Sequence, residues 1–182
     1  MKNHNENFET NDRDRFLEAM SRLASAVSVV TTDGPHGRAG VTVSSLVSVS
    51  ADSAKPTVMV CIHKSSSSCP VILGNGVFCA NILAHHQSHI ADAFAGRVRN
   101  RTGSKFDTAT WSSGRFGIPR LVNSLAAVEC RISDQEVVGQ HHVIFAQVQN
   151  ILLGGSGSPL IYSARDYATT RPLSLLSNST AA

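Results

Sequence analysis

The stretch from Gly40 to Ser50, Gly-Val-Thr-Val-Ser-Ser-Leu-Val-Ser-Val-Ser, constrains this chain more than any other. Apolar and hydroxyl residues alternate along it, the period of a β-strand with one buried and one polar face. A row of Thr and Ser on one side is a wall of neutral donors, suited to an anion or a sugar-like chain.

The flanks extend the pattern. Ala26 to Thr32 is rich in Val and Thr and reads as a strand. Asp33-Gly34-Pro35-His36-Gly37 is turn chemistry, so strands over 26–32 and about 38–50 form a hairpin. Pro56 to His63 is a strand apolar on both faces. It runs into Lys64-Ser65-Ser66-Ser67-Ser68 and then a short helix announced by Pro70 and ended at Gly74-Asn75-Gly76. Val77 to Leu83 is a strand, and His86 to Phe94 a helix closed by Gly96. Trp111 to Arg120, punctuated by Gly and Pro, reads as an extended loop. Leu125 to Val138 and His142 to Leu153 are long strands joined at Gly139-Gln140-His141, and Pro159 to Ser163 is a last short strand.

Six or seven strands with short inserted helices, and no regular βαβ alternation, argue for a closed or nearly closed antiparallel barrel. The 182 residues fit one domain, over 15–172, between a polar disordered lead-in, 1–14, and a mobile Ser/Thr/Ala-rich tail, 173–182. Before the first strand, Phe16, Leu17, Met20, Leu23, Ala24 and Val27 fall on one helical face, which predicts a short helix from Arg15 covering one end of the sheet.

Composition excludes several functions. A formal net charge of +3 is too small to argue for nucleic acid, and no aromatic platform accompanies Arg97, Arg99, Arg101 and Lys105. No apolar run reaches the length of a membrane helix, and the polar N-terminus has no apolar signal region, so cytoplasm is the expected compartment and no membrane partner is expected. Cys61, Cys69, Cys79 and Cys130 form no CxxC pair and read as buried free thiols. His85, His86 and His89 lack a companion Cys or carboxylate ligand, so no metal site is expected. There is no dinucleotide fingerprint, phosphate-binding GxxxxGK[ST] loop, nucleophile elbow or HExxH, and the 13 carboxylates are scattered.

What remains is a set of hydroxyls: Thr42, Ser44 and Ser45 on one strand, and Ser65 to Ser68 at a strand-to-helix junction beside Lys64. A helix N-terminus with capping serines and a nearby cation is suited to phosphate.

A series of motifs resembles the short-chain flavin reductases, the reductase components of two-component aromatic monooxygenases such as hydroxyphenylacetate and chlorophenol hydroxylases. It runs through Val29-Val30-Thr31-Thr32, Asp33-Gly34, Ala39 to Ser45, Pro56 to Ser66, Phe78 to Leu83, Phe94-Ala95-Gly96 and Lys105-Phe106. It continues through Gly117-Ile118-Pro119, Glu129-Cys130, Gly139-Gln140-His141, Ile144 to Val148 and Pro159 to Tyr162. The resemblance implies a mainly β, six-stranded antiparallel Greek-key split barrel that binds flavin and assembles as a homodimer. It implies hydride transfer from NADH or NADPH to FAD or FMN, with the reduced flavin diffusing to a separate oxygenase. Carried over by motif, Thr42, Val43, Ser44 and Ser45 would face the ribityl chain and ring. Lys64, Ser65 and Ser66 would hold the phosphate, and Asn81 and Phe94 would line the ring or adenine side. Lys105 and Phe106 would add a dinucleotide contact, and His141 would position the nicotinamide. Apart from the motifs, Arg97, Arg99, Arg101 and Lys105 could approach the flavin's phosphates or the partner cofactor. Gln140 and Ala146 depart from the family pattern, which commonly has Asp and Gly there. A flavin-binding module that stores or senses flavin without turnover is the second reading, because one fold hosts several roles.

Overall fold

The computed structural model describes residues 10–52, 55–98 and 103–173. Most of the expected lead-in and tail, and Arg99 and Arg101 of the basic loop, lie outside them. The chain begins with α1 (Thr10–Ser21), β1 (Ser25–Ala26), β2 (Ser28–Thr32), β3 (Ala39–Val43), β4 (Val47–Ser50) and β5 (Thr57–His63). Next come α2 (Ser68–Asn75), β6 (Val77–Ile82), a 3₁₀ turn at His85–Gln87 and α3 (Ser88–Phe94). A second 3₁₀ turn at Lys105–Thr108 precedes β7 (Trp111–Ser113), β8 (Pro119–Leu121), β9 (Ala126–Val138), β10 (His141–Leu153), β11 (Leu160–Ser163) and β12 (Asp166–Thr169).

The main sheet is antiparallel throughout, in the order β3-β2-β6-β9-β10-β5-β4. Its two edge strands, β3 and β4, are consecutive in the chain and separated by only Ser44, Ser45 and Leu46. So short a link brings the two edges together and rolls the sheet into a barrel. The strand expected over about 38–50 is therefore two. Its first half pairs with β2 and its second half with β5. Counted as one crossing segment, they give the six strands expected.

At the crossing the backbone ladder is interrupted and one side chain bridges it. The Ser45 hydroxyl accepts from the Cys61 backbone N–H at 3.0 Å and donates to the Cys61 carbonyl at 3.1 Å. A serine thus supplies both hydrogen bonds a paired strand would have made.

Inside the barrel, Val30, Val43, Val60, Ile62, Ile72, Phe78, Ala80, Cys130, Ile144 and Ala146 form one core cluster. Ala146, where the family pattern has Gly, is fully buried there, so its methyl group packs into the interior. A second cluster, outside the barrel wall, joins Val27, Val29, Leu83, Ile90, Phe94, Leu121 and Leu160, with Phe106, Trp111, Tyr162 and Tyr167 at its margin. The two clusters take alternate residues of β2, as a strand buried on both faces requires. Val27 is the corner between β1 and β2. Its N–H donates to the Leu160 carbonyl, and its carbonyl accepts from Leu83 N–H.

Three expectations are corrected. α1 starts at Thr10, and its apolar residues Phe16, Leu17 and Met20, with Leu23 just after it, are exposed instead of covering the sheet. The helix is tied to the barrel by the Arg165–Glu18 ion pair and by the Ala164 N–H to Ser21 carbonyl bond. The segment read as a loop over 111–120 is a hairpin, β7–β8, whose turn uses Gly117 at φ 74°. β12 was not anticipated; it pairs with β11 through a turn held by Ala164 and Arg165 in positive φ.

Candidate active site

The β3 end and the link to β4 lie between two hollows. One, of about 280 Å³, is lined by Val41 to Ser45, Cys61, Ile62, His63, Ser66 and His141. The other, of about 160 Å³, is lined by Val27, Thr42, Val43, Ser44, Ala95, Arg97, Tyr162 and Tyr167. Thr42, Val43 and Ser44 belong to both, so the hydroxyl strand is a wall that the two hollows share.

The wall's hydroxyls are not equivalent. Thr42 donates to the Ala91 carbonyl at 2.7 Å, anchoring β3 to α3. Ser45 is committed to Cys61. Ser44 is exposed, and its hydroxyl has no hydrogen-bond partner among the described residues. Of the three, it is the one free to serve a ligand.

The first hollow is polar. β5 and β10 run side by side with His63 opposite His141, and their rings meet edge to face with centroids 4.9 Å apart. His63 Nδ1 accepts from the Ser65 backbone N–H at 3.1 Å and lies 2.8 Å from the Ser65 hydroxyl. A backbone N–H can only donate, so Nδ1 is the acceptor in this contact. The Gly139-Gln140-His141 turn is locked to the serine junction by Lys64 N–H donating to the Gln140 carbonyl at 2.9 Å. The Gln140 contact made here uses backbone, which either Gln or Asp provides. Ser66 receives the Ser68 N–H at 3.3 Å, and Lys64 and Ser65 are exposed beside it.

The second hollow is aromatic. Arg97 donates to the hydroxyls of Tyr162 and Tyr167 at 3.3 and 3.4 Å, and to Asp92 at 3.3 Å. The guanidinium carbon lies 5.4 and 5.5 Å from the two ring centroids, within cation–π range. Tyr167 donates to Asp92 at 2.9 Å, and its hydroxyl pKa is pushed up to about 12, first by burial and then by that bond.

Residues 20–171 match the flavin reductase like domain family. The chain belongs to this family. It is 42% identical over 158 residues to an FMN reductase (NADH) RutF 1 of Methylorubrum extorquens, covering 87% of this chain and 77% of that protein. It is 37% identical over 155 residues to the FMN reductase (NADH) RutF of Stutzerimonas stutzeri, covering 85% and 87%. Among solved structures it resembles BorF, the flavin reductase component of a bacterial two-component tryptophan halogenase. There the TM-score is 0.77 at 26% identity, over 88% of this chain and 99% of that one. It also resembles nitrilotriacetate monooxygenase component B from Mycobacterium thermoresistibile. That match has a TM-score of 0.80 at 27% identity, over 89% and 88% of the two chains.

Within this flavin reductase-like chain the residues expected at the site separate into two groups. Thr42, Val43, Ser44, Ser45, Ser66 and His141 line the groove, with Lys64 and Ser65 at its rim. Asn81 does not reach it. The Asn81 side chain is fully buried, donates to the Val29 carbonyl and Thr31 Oγ1, and accepts from Leu121 N–H at 2.8 Å. It is a clamp between β2, β6 and β8. Phe94 is buried in an aromatic cluster with Phe106 and Trp111, behind the groove. Phe106 is covered by the Arg38 guanidinium, 4.0 Å from its centroid. Lys105 points to the Gly40 carbonyl at 2.7 Å, and burial lowers its pKa.

The structure adds His63, Tyr162 and Tyr167, and gives Arg97 its partners. His63 had one sequence signal, its place directly before the Lys64–Ser68 run. Tyr162 and Tyr167 meet Arg97 only through the β11–β12 fold-back, a pairing across 65 and 70 residues that no local pattern encodes.

Proposed function

We propose that this chain is an NADH-dependent flavin reductase that uses the groove along Thr42–Ser44 to hold flavin and supplies reduced flavin to a separate oxygenase. The observation that carries the reading is the pair of hollows sharing the Thr42–Ser44 wall, one lined by histidines and serines and the other by aromatic rings, in a member of the flavin reductase like domain family. A flavin combines a planar ring system and a phosphate, and the two hollows offer groups suited to each. The unpartnered Ser44 hydroxyl fits the ribityl chain between them. FMN and NADH are the favoured pair, following the naming of the RutF relatives.

In this assignment Ser66, Lys64 and Ser65 take the phosphate, and Thr42, Val43 and Ser44 line the ribityl chain and ring. His141, held edge to face against His63, orients the nicotinamide. When bound, flavin supplies the hydride acceptor at its N5. Because hydride passes directly between two cofactors, the protein needs no nucleophile or general base. Its task is to align two rings and exclude alternative poses. Release of reduced flavin to a separate oxygenase is part of the proposal; it is supported by the likeness to BorF, the flavin reductase component of a two-component halogenase, and to nitrilotriacetate monooxygenase component B.

Homodimerisation is part of the proposal. It is supported by the apolar side chains left exposed on α1 and at both ends of the β9–β10 hairpin, Val137, Val138, Ile151, Leu152 and Leu153. Sedimentation equilibrium yielding a monomer would remove this part alone. No helix among the described residues is long and apolar enough to cross a membrane; a cytoplasmic location is proposed with the activity.

The test is steady-state oxidation of NADH and NADPH with FMN and FAD in the four pairings. Multiple turnovers, fastest with NADH and FMN, are expected. Stoichiometric flavin binding with no NADH consumption would favour the storage module instead.

A further inference from the structure

We propose that His63 is a positioning residue: its ring sets the orientation of the His141 imidazole, and it acts on the reaction through His141. This rests on the flavin reductase reading above, in which His141 orients the nicotinamide.

His141 opens β10 directly after the Gly139–Gln140 turn, and its side chain is exposed. Among the described residues its imidazole has no hydrogen-bond partner. Its ring nitrogens are therefore open to a ligand, and a carboxamide offers them both a donor and an acceptor. The same lack of partners leaves the plane of the ring without a polar restraint, so an isolated side chain would sample several staggered orientations. What meets it is the His63 ring, with centroids 4.9 Å apart and planes at 81°. Register dictates the pairing. His63 closes β5, His141 opens β10, and the two stand directly opposite in the antiparallel ladder.

His63 is itself held by backbone. Its carbonyl accepts the Ser66 N–H at 3.0 Å, closing a tight turn over 63–66. Within that turn its Nδ1 accepts the Ser65 N–H at 3.1 Å, so the ring cannot rotate without losing the bond. The Lys64 N–H, donating to the Gln140 carbonyl at 2.9 Å, ties this turn to the one that carries His141. Backbone thus fixes the His63 ring, and that ring restrains His141 by edge-to-face contact. Both rings line the hollow that includes the Thr42–Ser44 wall.

Neither histidine gains or loses a proton when hydride passes from nicotinamide to flavin. The rate depends instead on the fraction of bound nicotinamide held at reacting distance, which a restrained His141 raises. Aromatic pairs contribute a factor of about two to ten, and both side chains here are exposed, so a change of about fivefold is expected.

The experiment is a double-mutant cycle on H63N, H141A and the pair, with H63F beside them. It reads kcat/KM for NADH at saturating FMN and, separately, FMN affinity by fluorescence titration. Asn keeps an acceptor for the Ser65 N–H and so preserves the turn while removing the ring. H63N should lower kcat/KM for NADH about fivefold with FMN affinity within about twofold of wild type. H63F, which keeps a ring opposite His141, should recover part of that loss. In the H141A background H63N should cost nothing further. The proposal is overturned by wild-type kinetics in H63N, by an equal cost of H63N in both backgrounds, or by no recovery in H63F. A parallel loss of FMN affinity in H63N also overturns it, since His63 would then contact flavin directly. Wild-type NADH kinetics in H141A would overturn the role of His141 itself, and this proposal with it, a result distinguishable from the others. Thermal melts verify that each variant is folded.

Discussion

Ser44 and Ser45 are neighbours of the same chemistry with opposite roles. Ser45 closes the barrel through the Cys61 backbone, while Ser44 is unpartnered on the groove wall. Alternation in the sequence marks both as hydroxyls on a strand. It cannot tell them apart, because their roles depend on β5 lying opposite one and open space lying before the other. Ser44→Leu should leave the melting temperature within about 2 °C, since exposed substitutions change stability little. It should weaken FMN binding at least about tenfold, by bulk in the groove and a lost hydrogen bond. Fluorescence titration of FMN beside a thermal melt checks both. Asn81 predicts the converse. Its amide satisfies buried groups on three strands, so Asn81→Ala should cost about 3 kcal/mol from the orphaned partners. FMN affinity of the folded fraction should be unchanged, and a selective loss of FMN affinity at wild-type stability would return Asn81 to the site.

At the scale of elements, β3 depends on what packs behind it. A Cβ on Gly40 would lie 2.6 Å from the Phe94 ring and 3.2 Å from the Val30 carbonyl. The Gly40 carbonyl also receives Ser68 Oγ and Lys105 Nζ, both at 2.7 Å. This one residue thus lets α3 approach, ties down the start of α2 and fixes the Lys105 turn. Gly40→Ala should destabilise by about 2 kcal/mol through overpacking, read by urea unfolding, and should weaken flavin binding by displacing β3. The long hairpin β9–β10 and the β2–β3 turn were legible in the sequence because periodicity and turn residues sit side by side. β12 was not, since four residues, Asp166 to Thr169, carry too little pattern, and their partner strand supplies the order. β7–β8 was hidden because Gly114, Gly117 and Pro119 read as loop residues, whereas here the two glycines lie in the turn of a hairpin and Pro119 opens its second strand. α1 was legible as amphipathic, but the sequence does not say what its apolar face meets.

Across the whole molecule, the buried thiols set the alkaline limit of stability. Burial holds Cys79 far above the ordinary thiol value of 9.0 and raises Cys130 to about 12, with nearby Glu129 acting in the same direction. The folded state therefore keeps protons that the unfolded state loses. This stabilisation is complete below about pH 9 and is lost as pH rises toward 12. The lowered pKa of Lys105 acts oppositely, because there the folded state sheds its proton first and gains stability up to the ordinary lysine value. Two deeply buried thiols outweigh one half-buried amine, so stability should fall from about pH 9 upward. Cys130→Val should flatten that fall, and urea midpoints between about pH 7 and 10.5 check it. The barrel itself was legible from the absence of βαβ alternation and the order of the motifs. The two hollows were not, because they assemble residues from β3, β5, the segment after α3 and the β10–β12 region.

The Cys61 amide has a further consequence. Its proton is guarded by the Ser45 side chain alone at the seam, where neighbouring amides are guarded by a strand ladder. Deuterium uptake at this position therefore measures how often the seam parts. A molecule lying along Thr42–Ser44 spans that seam, so occupancy of the groove should slow exchange at Cys61 without any change in the barrel interior. The chain carries its own clock for ligand residence, readable without spectroscopy of the ligand.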